Sequence, residues 1–347
     1  MPDRFEKLKE VKKKFITVEF FFKAAGERFK LEQITKLDIP KRKKIFDKNL
    51  HRPGLALAGY VELFTYQRIQ VLGNTEIKYL TQLNKKKRID SLMRFFSFNV
   101  PCVIITNDNP LPVEFIHIAQ KFKIPVFKTP YPTTRFIYLV SDFLDDQFAP
   151  QIVIHGSFVD VYGIGVLFCG KSGIGKSEIA LDLVERGHRL VADDVVLVSK
   201  KGESVLMGSG TEFVQHFMEI RGLGIIDIRK VFGIRAIRFQ KRVEVIVELE
   251  HWDPGKVYER TGLNTVKGNI MGVEIEMIRL PIFPGKNITV ISEVIALNYL
   301  CKHYGYDAAK VFAENLKKKI RLNKKSGKGE TSASLRRAIE YFEHDFE

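Results

Sequence analysis

The apolar positions of this chain change period several times. "CVIIT" (Cys102–Thr106) is a short apolar run ended by Asn107-Asp-Asn-Pro110, which reads as a strand and a turn. "VEFIHIAQKF" comes next, with Phe115, Ile118, Ala119 and Phe122 at helical spacing, and "IPVF" (Ile124–Phe127) reads as the next strand. Together they predict a strand–helix–strand unit. Phe136, Leu139, Val140, Phe143, Leu144 and Phe148 then mark an amphipathic helix with a wide apolar face, followed by Pro150. Beyond Pro150 the pattern turns β-rich and glycine-punctuated. Strand-like runs include "IVIHGSFVDVYGIGVLFCG", "HRLVADDVVLVSK", "RVEVIVELE" and "VEIEMIRLPIF". The chain then returns to helical spacing. Ile291, Val294, Ile295, Asn298 and Cys301 share a face up to Gly305, and Ala308, Val311, Phe312, Leu316 and Ile320 form a second stripe.

This order predicts an α/β protein of two domains. Residues 1–150 form an N-terminal α/β domain and residues 151–325 a mainly β nucleotide-binding core with helices at its end; residues 326–347 are an extension. The 347 residues suffice for two cores, and no internal repeat is present. A formal net charge of +15 favours anionic partners without choosing among them. The lysine runs Lys85–Arg88 and Lys317–Lys325 lack interleaved aromatics, so they read as solvated helix faces and not as a nucleic-acid surface. Cys102, Cys169 and Cys301 sit in no motif and read as small hydrophobes in a reducing compartment. The apolar run near the N-terminus is interrupted by Glu19 and Lys23, which argues against a signal peptide or a membrane span and for a cytoplasmic location.

The chemistry centres on "GKSGIGKS". Gly170, Gly175, Lys176 and Ser177 match G-x-x-x-x-G-K-[ST], with Lys171, Ser172, Gly173 and Ile174 between them. A strand pattern (Gly163–Cys169) precedes the loop, and a helix pattern (Glu178–Arg186) continues from it and stops at Gly187. Such a loop turns backbone N–H groups and a helix N-terminus toward phosphate. Lys176 then reaches the β- and γ-phosphates, and Ser177 can ligate Mg²⁺. The loop alone leaves hydrolysis, a small-molecule acceptor and a protein acceptor all open. Asp193 and Asp194 end the run "HRLVADD"; on a strand they would point to opposite faces, one toward a metal and one toward an acceptor hydroxyl. His155 precedes Gly156 just before the nucleotide core. "FMEIRGLGIIDI" sets Glu219 and Arg221 beside Gly222 and Gly224, which reads either as a ligand approach with Glu219 as a second metal ligand or as a turn carrying a surface ion pair. Arg260 in "VYERTG" and Lys286 in "PIFPGKN" each place a cation near a glycine turn.

Taken together, "IHG…GKSGIGKSE…GHRLVADD…EIRGLGI…YERTG…PGKN" resembles the bacterial HPr kinase/phosphorylase family, with the clear match spanning roughly residues 151–290. The resemblance implies a hexameric enzyme that uses ATP and Mg²⁺ to phosphorylate a seryl residue of HPr, the phosphocarrier protein of the sugar phosphotransferase system. It also implies reversal by phosphorolysis, in which inorganic phosphate attacks and pyrophosphate leaves. The kinase fold of the family is similar to the nucleotide-binding core of phosphoenolpyruvate carboxykinase. By the same resemblance, Asp194 is the base that takes the seryl proton and returns it in reverse; His155, Lys176 and Arg260 are the other active-site residues. Ser177 and Glu219 are the Mg²⁺ ligands. Met218–Asp227 matches a segment needed in both directions, and Pro281, Pro284, Gly285 and Lys286 belong to a segment tied to dephosphorylation. Three departures stand out: Lys171 where the family commonly has an acidic residue, Phe283 where it often has a basic one, and an extension beyond the family's usual end. The competing readings are a P-loop enzyme with a small-molecule acceptor and a non-enzymatic nucleotide-sensing regulator.

Overall fold

The computed structural model describes residue 5 and residues 8–211, 215–256 and 266–325; the side chains of 322–325 are outside the described set. In the N-terminal part, Gln70–Leu72, Val103–Ile105 and Val126–Lys128 form a parallel sheet, extended by antiparallel Glu32–Gln33. The strand period of two sends successive side chains to opposite faces. Val71, Ile104 and Phe127 pack into one core with Phe21, Phe29 and Phe136, while Leu72, Ile105 and Val126 pack into another with Phe95, Phe96 and Phe115. Helices therefore cover both faces, as a buried parallel sheet requires. The expected strand–helix–strand unit is present as Val103–Ile105, Val113–Lys121 and Val126–Lys128. The helix Thr133–Phe148 buries Phe136, Val140, Phe143, Leu144 and Phe148. Lys85–Lys87 are exposed on the helix Lys85–Ser97, but Arg88 turns inward to Glu114 and to the carbonyls of Leu80 and Leu83.

The C-terminal part stacks two sheets. The first has six strands in the order Arg189–Ala192, Ser157–Val161, Ile164–Gly170, Val245–His251, Val273–Ile282 and Val266–Ile270. Its central three, Ile164–Gly170, Val245–His251 and Val273–Ile282, run parallel. The second sheet orders Gln240–Arg242, Val205–Ser209, Val195–Lys201 and Gln151–His155, all antiparallel. One core lies between the sheets. The other lies between the six-stranded sheet and the helices Lys176–Glu185 and Ile288–His303.

Two expectations change. The helix Ile288–His303 buries Ile288, Thr289, Ser292, Glu293 and Ala296, whereas Val294 is 56% exposed and Cys301 is also exposed. Ile291 and Ile295 of the expected face are half-buried against the core, and the buried face extends to Glu293, which pairs with Arg186 (2.7 Å) and hydrogen-bonds the buried His188 ring (3.0 Å). Cys102 and Cys169 are buried as expected, and burial pushes the Cys102 thiol up to about 12. The helix Ala308–Lys325 leaves Val311, Phe312, Leu316 and Ile320 exposed. Among the described residues, no helix is long and apolar enough to cross a membrane.

Candidate active site

The site lies at the carboxyl ends of the three parallel strands, where open α/β sheets place ligands. Ile164–Gly170 feeds the loop Lys171–Gly175, and Lys176 and Ser177 open the helix Lys176–Glu185. The loop path needs its glycines. Gly170 has φ +155°, and a Cβ there would lie 2.7 Å from the Leu249 carbonyl oxygen. Gly173 and Gly175 are left-handed at +77° and +95°. Lys171, Ser172 and Gly173 are exposed, while Ile174 is buried and anchors the loop in the core. Lys176 Nζ donates to the carbonyls of Lys171 (3.0 Å) and Gly170 (3.5 Å), so its ammonium already rests inside the loop. The far end of the helix closes as expected: Gly187 (φ +96°) donates to Val184 and His188 to Leu183.

Asp193 and Asp194 are not on a strand; they form the turn between Arg189–Ala192 and Val195–Lys201. Val195 N–H donates to the Asp193 carbonyl (2.7 Å), with Asp194 at φ +59°. The chain bends there from the six-stranded sheet into the four-stranded one while it keeps pairing antiparallel with the run through His155 and Phe158, and the bend leaves one carboxylate facing inward and the other outward. Asp193 is 5% exposed and Asp194 is exposed. Ser157 Oγ donates to Asp193 Oδ1 (2.5 Å), while buried Oδ2 has no hydrogen-bond partner among the described residues. Burial raises the Asp193 carboxyl above its ordinary value, and the hydroxyls of Ser157 and Ser177 act in the opposite direction. The strand Gln151–His155 ends directly across from this turn. His155 pairs with Val195, and Gly156 N–H donates to the Asp194 carbonyl (3.1 Å).

The hairpin of Phe217–Ile220 and Gly224–Asp227 packs on the phosphate-loop helix core through Met218, Ile220 and Ile226. Strand alternation leaves Glu219 exposed. Gly222 and Gly224, at φ +84° and +98°, make the hairpin turn. The reading of a surface ion pair between Glu219 and Arg221 gives way to a different contact. The Arg221 guanidinium lies against the phosphate loop, 2.9 Å from where a Gly173 Cβ would be. Arg260 lies outside the described residues.

On the other flank, Pro281 lies near the end of Val273–Ile282, and Pro284 and Gly285 (φ +85°) turn the chain into the helix Ile288–His303. Lys286 Nζ donates to the Pro281 carbonyl (2.9 Å) and sits 5.3 Å from the centre of the Phe283 ring; burial lowers its pKa. Phe283 meets Trp252 edge-on, with ring centres 5.9 Å apart. Two cavities flank the loop. One of about 460 Å³ is lined by Gly170, Lys171, Leu249, Glu250, Trp252 and Lys256, and one of about 430 Å³ by Ile174, Gly175, Glu178, Ile282, Lys286 and Ile288.

The structure thus gathers His155, Lys176, Ser177, Asp193, Asp194 and Arg221 around one loop. Sequence reasoning missed two contributors, Ser157 and Trp252. Each carried a signal: a serine directly after the His155-Gly156 pair, and the single tryptophan of the chain beside a strand end.

Comparison with known proteins defines the class first. Residues 16–144 match the family model described as HPr Serine kinase N terminus, and residues 146–316 match HPr Serine kinase C-terminal domain. The chain is 54% identical over 343 residues to the HPr kinase/phosphorylase of Chloroherpeton thalassium, covering 98% of this chain and 99% of that one. It is 53% identical over 328 residues to the HPr kinase/phosphorylase of Prosthecochloris aestuarii, covering 93% and 96%. A solved structure of the Hpr(Ser) kinase/phosphatase from Coxiella burnetii is 35% identical over 46% of this chain and 97% of that one, with a TM-score of 0.41. The chain belongs to the HPr kinase/phosphorylase family.

Proposed function

We propose that this protein uses ATP to phosphorylate a seryl residue of HPr and removes that phosphate by phosphorolysis. The names of its relatives support the reaction pair. The observation that carries the mechanism is the Asp193–Asp194 turn held beside the phosphate loop, with one carboxylate buried and the other exposed to an acceptor.

In the forward direction the seryl oxygen attacks the γ-phosphorus, the new O–P bond forms, and the bond to the β-phosphate oxygen breaks to release ADP. Asp194 accepts the seryl proton. In reverse, an oxygen of inorganic phosphate attacks the phosphoseryl phosphorus. Protonated Asp194 returns its proton to the leaving seryl oxygen, and pyrophosphate forms. Lys176 stabilises charge on the transferring group from inside the loop. The resemblance assigns Arg260 a place in the same step, and His155 stands across from the Asp turn. Arg221 braces the loop at Gly173, and Lys286, beside Phe283, belongs to the flank tied to dephosphorylation.

The residues fit Mg²⁺. Ser177, buried Asp193 with an unpartnered oxygen, and Glu219 would hold it, a small oxygen set suited to an ion that keeps waters and phosphate oxygens as its other ligands. Bound there, the ion would neutralise charge on the β- and γ-phosphates.

A protein acceptor is favoured over a small molecule by the surface beside the loop. Leu223, Ile225, Val231 and Ile234 of the hairpin and the segment after it are 62–75% exposed, an apolar face that a docked protein would cover. The exposed stripe Val311, Phe312, Leu316 and Ile320 suits a second copy of the chain, in keeping with a hexamer. The test is transfer of γ-labelled phosphate from Mg-ATP to purified HPr, then addition of unlabelled phosphate. Seryl label that leaves as pyrophosphate is expected; ATP binding with no transfer to HPr would overturn the proposal in favour of a small-molecule acceptor.

A further inference from the structure

The segment His155–Ser157 crosses from one sheet to the other where the two carboxylates turn. The strand Gln151–His155 belongs to the four-stranded sheet, and Ser157–Val161 to the six-stranded sheet. Gly156 between them has no room for a side chain: a Cβ would lie 2.4 Å from the Phe168 carbonyl oxygen. That tight crossing sets both of its neighbours against the Asp turn. The Gly156 amide holds the backbone of Asp194, and the next residue, Ser157, sends its hydroxyl to the side chain of Asp193.

Ser157 is fully buried and Asp193 is 5% exposed. A buried carboxylate could present either oxygen to the site. Here the hydroxyl binds Oδ1, and Oδ2 is left buried and without a hydrogen bond among the described residues. An unpaired buried carboxylate oxygen is costly unless something cationic completes it. Against the effect of burial, the Ser177 hydroxyl, at the start of the phosphate-loop helix, acts with Ser157 in the direction that favours the ionised carboxylate.

We propose that Ser157 is a positioning residue: its hydroxyl ties down Asp193 Oδ1 so that Oδ2 is the oxygen offered to the divalent cation that accompanies the nucleotide. This rests on the reading of Asp193 as a metal ligand. Ser157 touches neither substrate nor metal and acts only through Asp193. Hydrogen-bond partners of metal ligands orient those ligands, and their loss typically costs 10- to 100-fold in affinity.

The test uses the full chain with ADP, and Mn²⁺ as the probe, with free Mn²⁺ read by electron paramagnetic resonance. Ser157→Ala is expected to weaken Mn²⁺ binding about tenfold, while ADP affinity measured in EDTA stays unchanged. Ser157→Cys keeps the volume and a weak donor, so it is expected to fold and recover part of the affinity. Asp193→Asn is expected to lose more than either. A role in packing alone would move melting temperature and leave the metal affinity of the folded variants intact. Wild-type Mn²⁺ affinity in folded Ser157→Ala and Ser157→Cys, with Asp193→Asn impaired, would overturn the positioning role alone. Unchanged affinity in Asp193→Asn would overturn the metal reading and this proposal with it.

Discussion

Both halves of the molecule place a helix after a parallel strand, and the junction in the C-terminal half carries the proposed phosphate site. In the N-terminal sheet, Gln70–Leu72 runs into the helix Asn74–Gln82 through Gly73 alone. The groups at that edge bond to one another. The Gly73 amide donates to Glu76 (2.9 Å), Thr106 and Thr133 share a hydrogen bond (2.6 Å), and Asn109 donates to Asn74 (2.8 Å). In the C-terminal sheet, five residues (171–175) separate the strand from the helix and include two left-handed glycines. There the Lys176 ammonium bonds to loop carbonyls, and Asp193 keeps a buried oxygen without a partner among the described residues. A strand–helix junction is a scaffold. It becomes a site where the loop is long enough to encircle a phosphate and polar groups are left for the ligand to complete.

This contrast can be broken most strongly at Lys176. Lys176→Ala is expected to lower phosphoryl transfer by about a thousandfold, since it removes the cation aimed at the charge that develops on the phosphoryl group. Steady-state transfer to HPr measures it, and a loss below tenfold would place the charge stabilisation elsewhere. The reciprocal change belongs in the N-terminal core. Ile104 is fully buried, and Ile104→Ala should destabilise by about 3 kcal/mol in denaturant unfolding. Its folded fraction should keep wild-type kcat, and a chemical defect would couple the two halves more tightly than their separate cores imply.

Smaller effects sharpen the picture. Glu293→Gln should cost about 1–2 kcal/mol, because the charge-assisted bonds to Arg186 and His188 are lost. The Arg186 hydrogen bond holds the Glu293 carboxyl below its ordinary value of 4.5. Its stabilisation is therefore present above that value and is lost as the pH falls through the folded-state pKa. Wild type should lose stability more steeply than Glu293→Gln on acidification below pH 4.5, as read by melting temperature. Least in size, Phe283→Arg restores the charge common in the family beside Lys286. It is expected to raise phosphorolysis relative to kinase activity by a few-fold, under about 1 kcal/mol in transition-state terms. An unchanged ratio would mean that the aromatic pair with Trp252 is neutral in that balance.

Legibility in the sequence depended on locality. The unit from Val103 to Lys128 was legible because each element carries its own period and its own breaker. So was the phosphate loop, whose glycines, lysine and flanking elements lie within one short segment. The buried face of Ile288–His303 was not legible: Ser292 and Glu293 count against burial until Arg186 and His188, over a hundred positions away in sequence, supply partners. The bend at the Asp pair is hidden for a related reason. "VADDVV" continues an apolar run on both sides, and the bend between two sheets, with Asp194 at φ +59° and Val195 N–H bonded back to the Asp193 carbonyl, carries no local pattern. The Arg221 contact with Gly173 joins residues 48 apart and carried no local pattern. The fold-level elements were thus readable from local pattern, whereas the joining of distant segments into one site came from the family resemblance and not from any local pattern.

The central claim is that one exposed carboxylate, Asp194, handles the seryl proton in both directions. The most direct measurement is Asp194→Asn assayed for kinase transfer to HPr, for phosphorolysis of seryl-phosphorylated HPr, and for ATP affinity. Loss of both activities by at least about a hundredfold, with ATP affinity unchanged, is the predicted result. Survival of either activity near the wild-type rate would contradict it and assign the proton in that direction to another group.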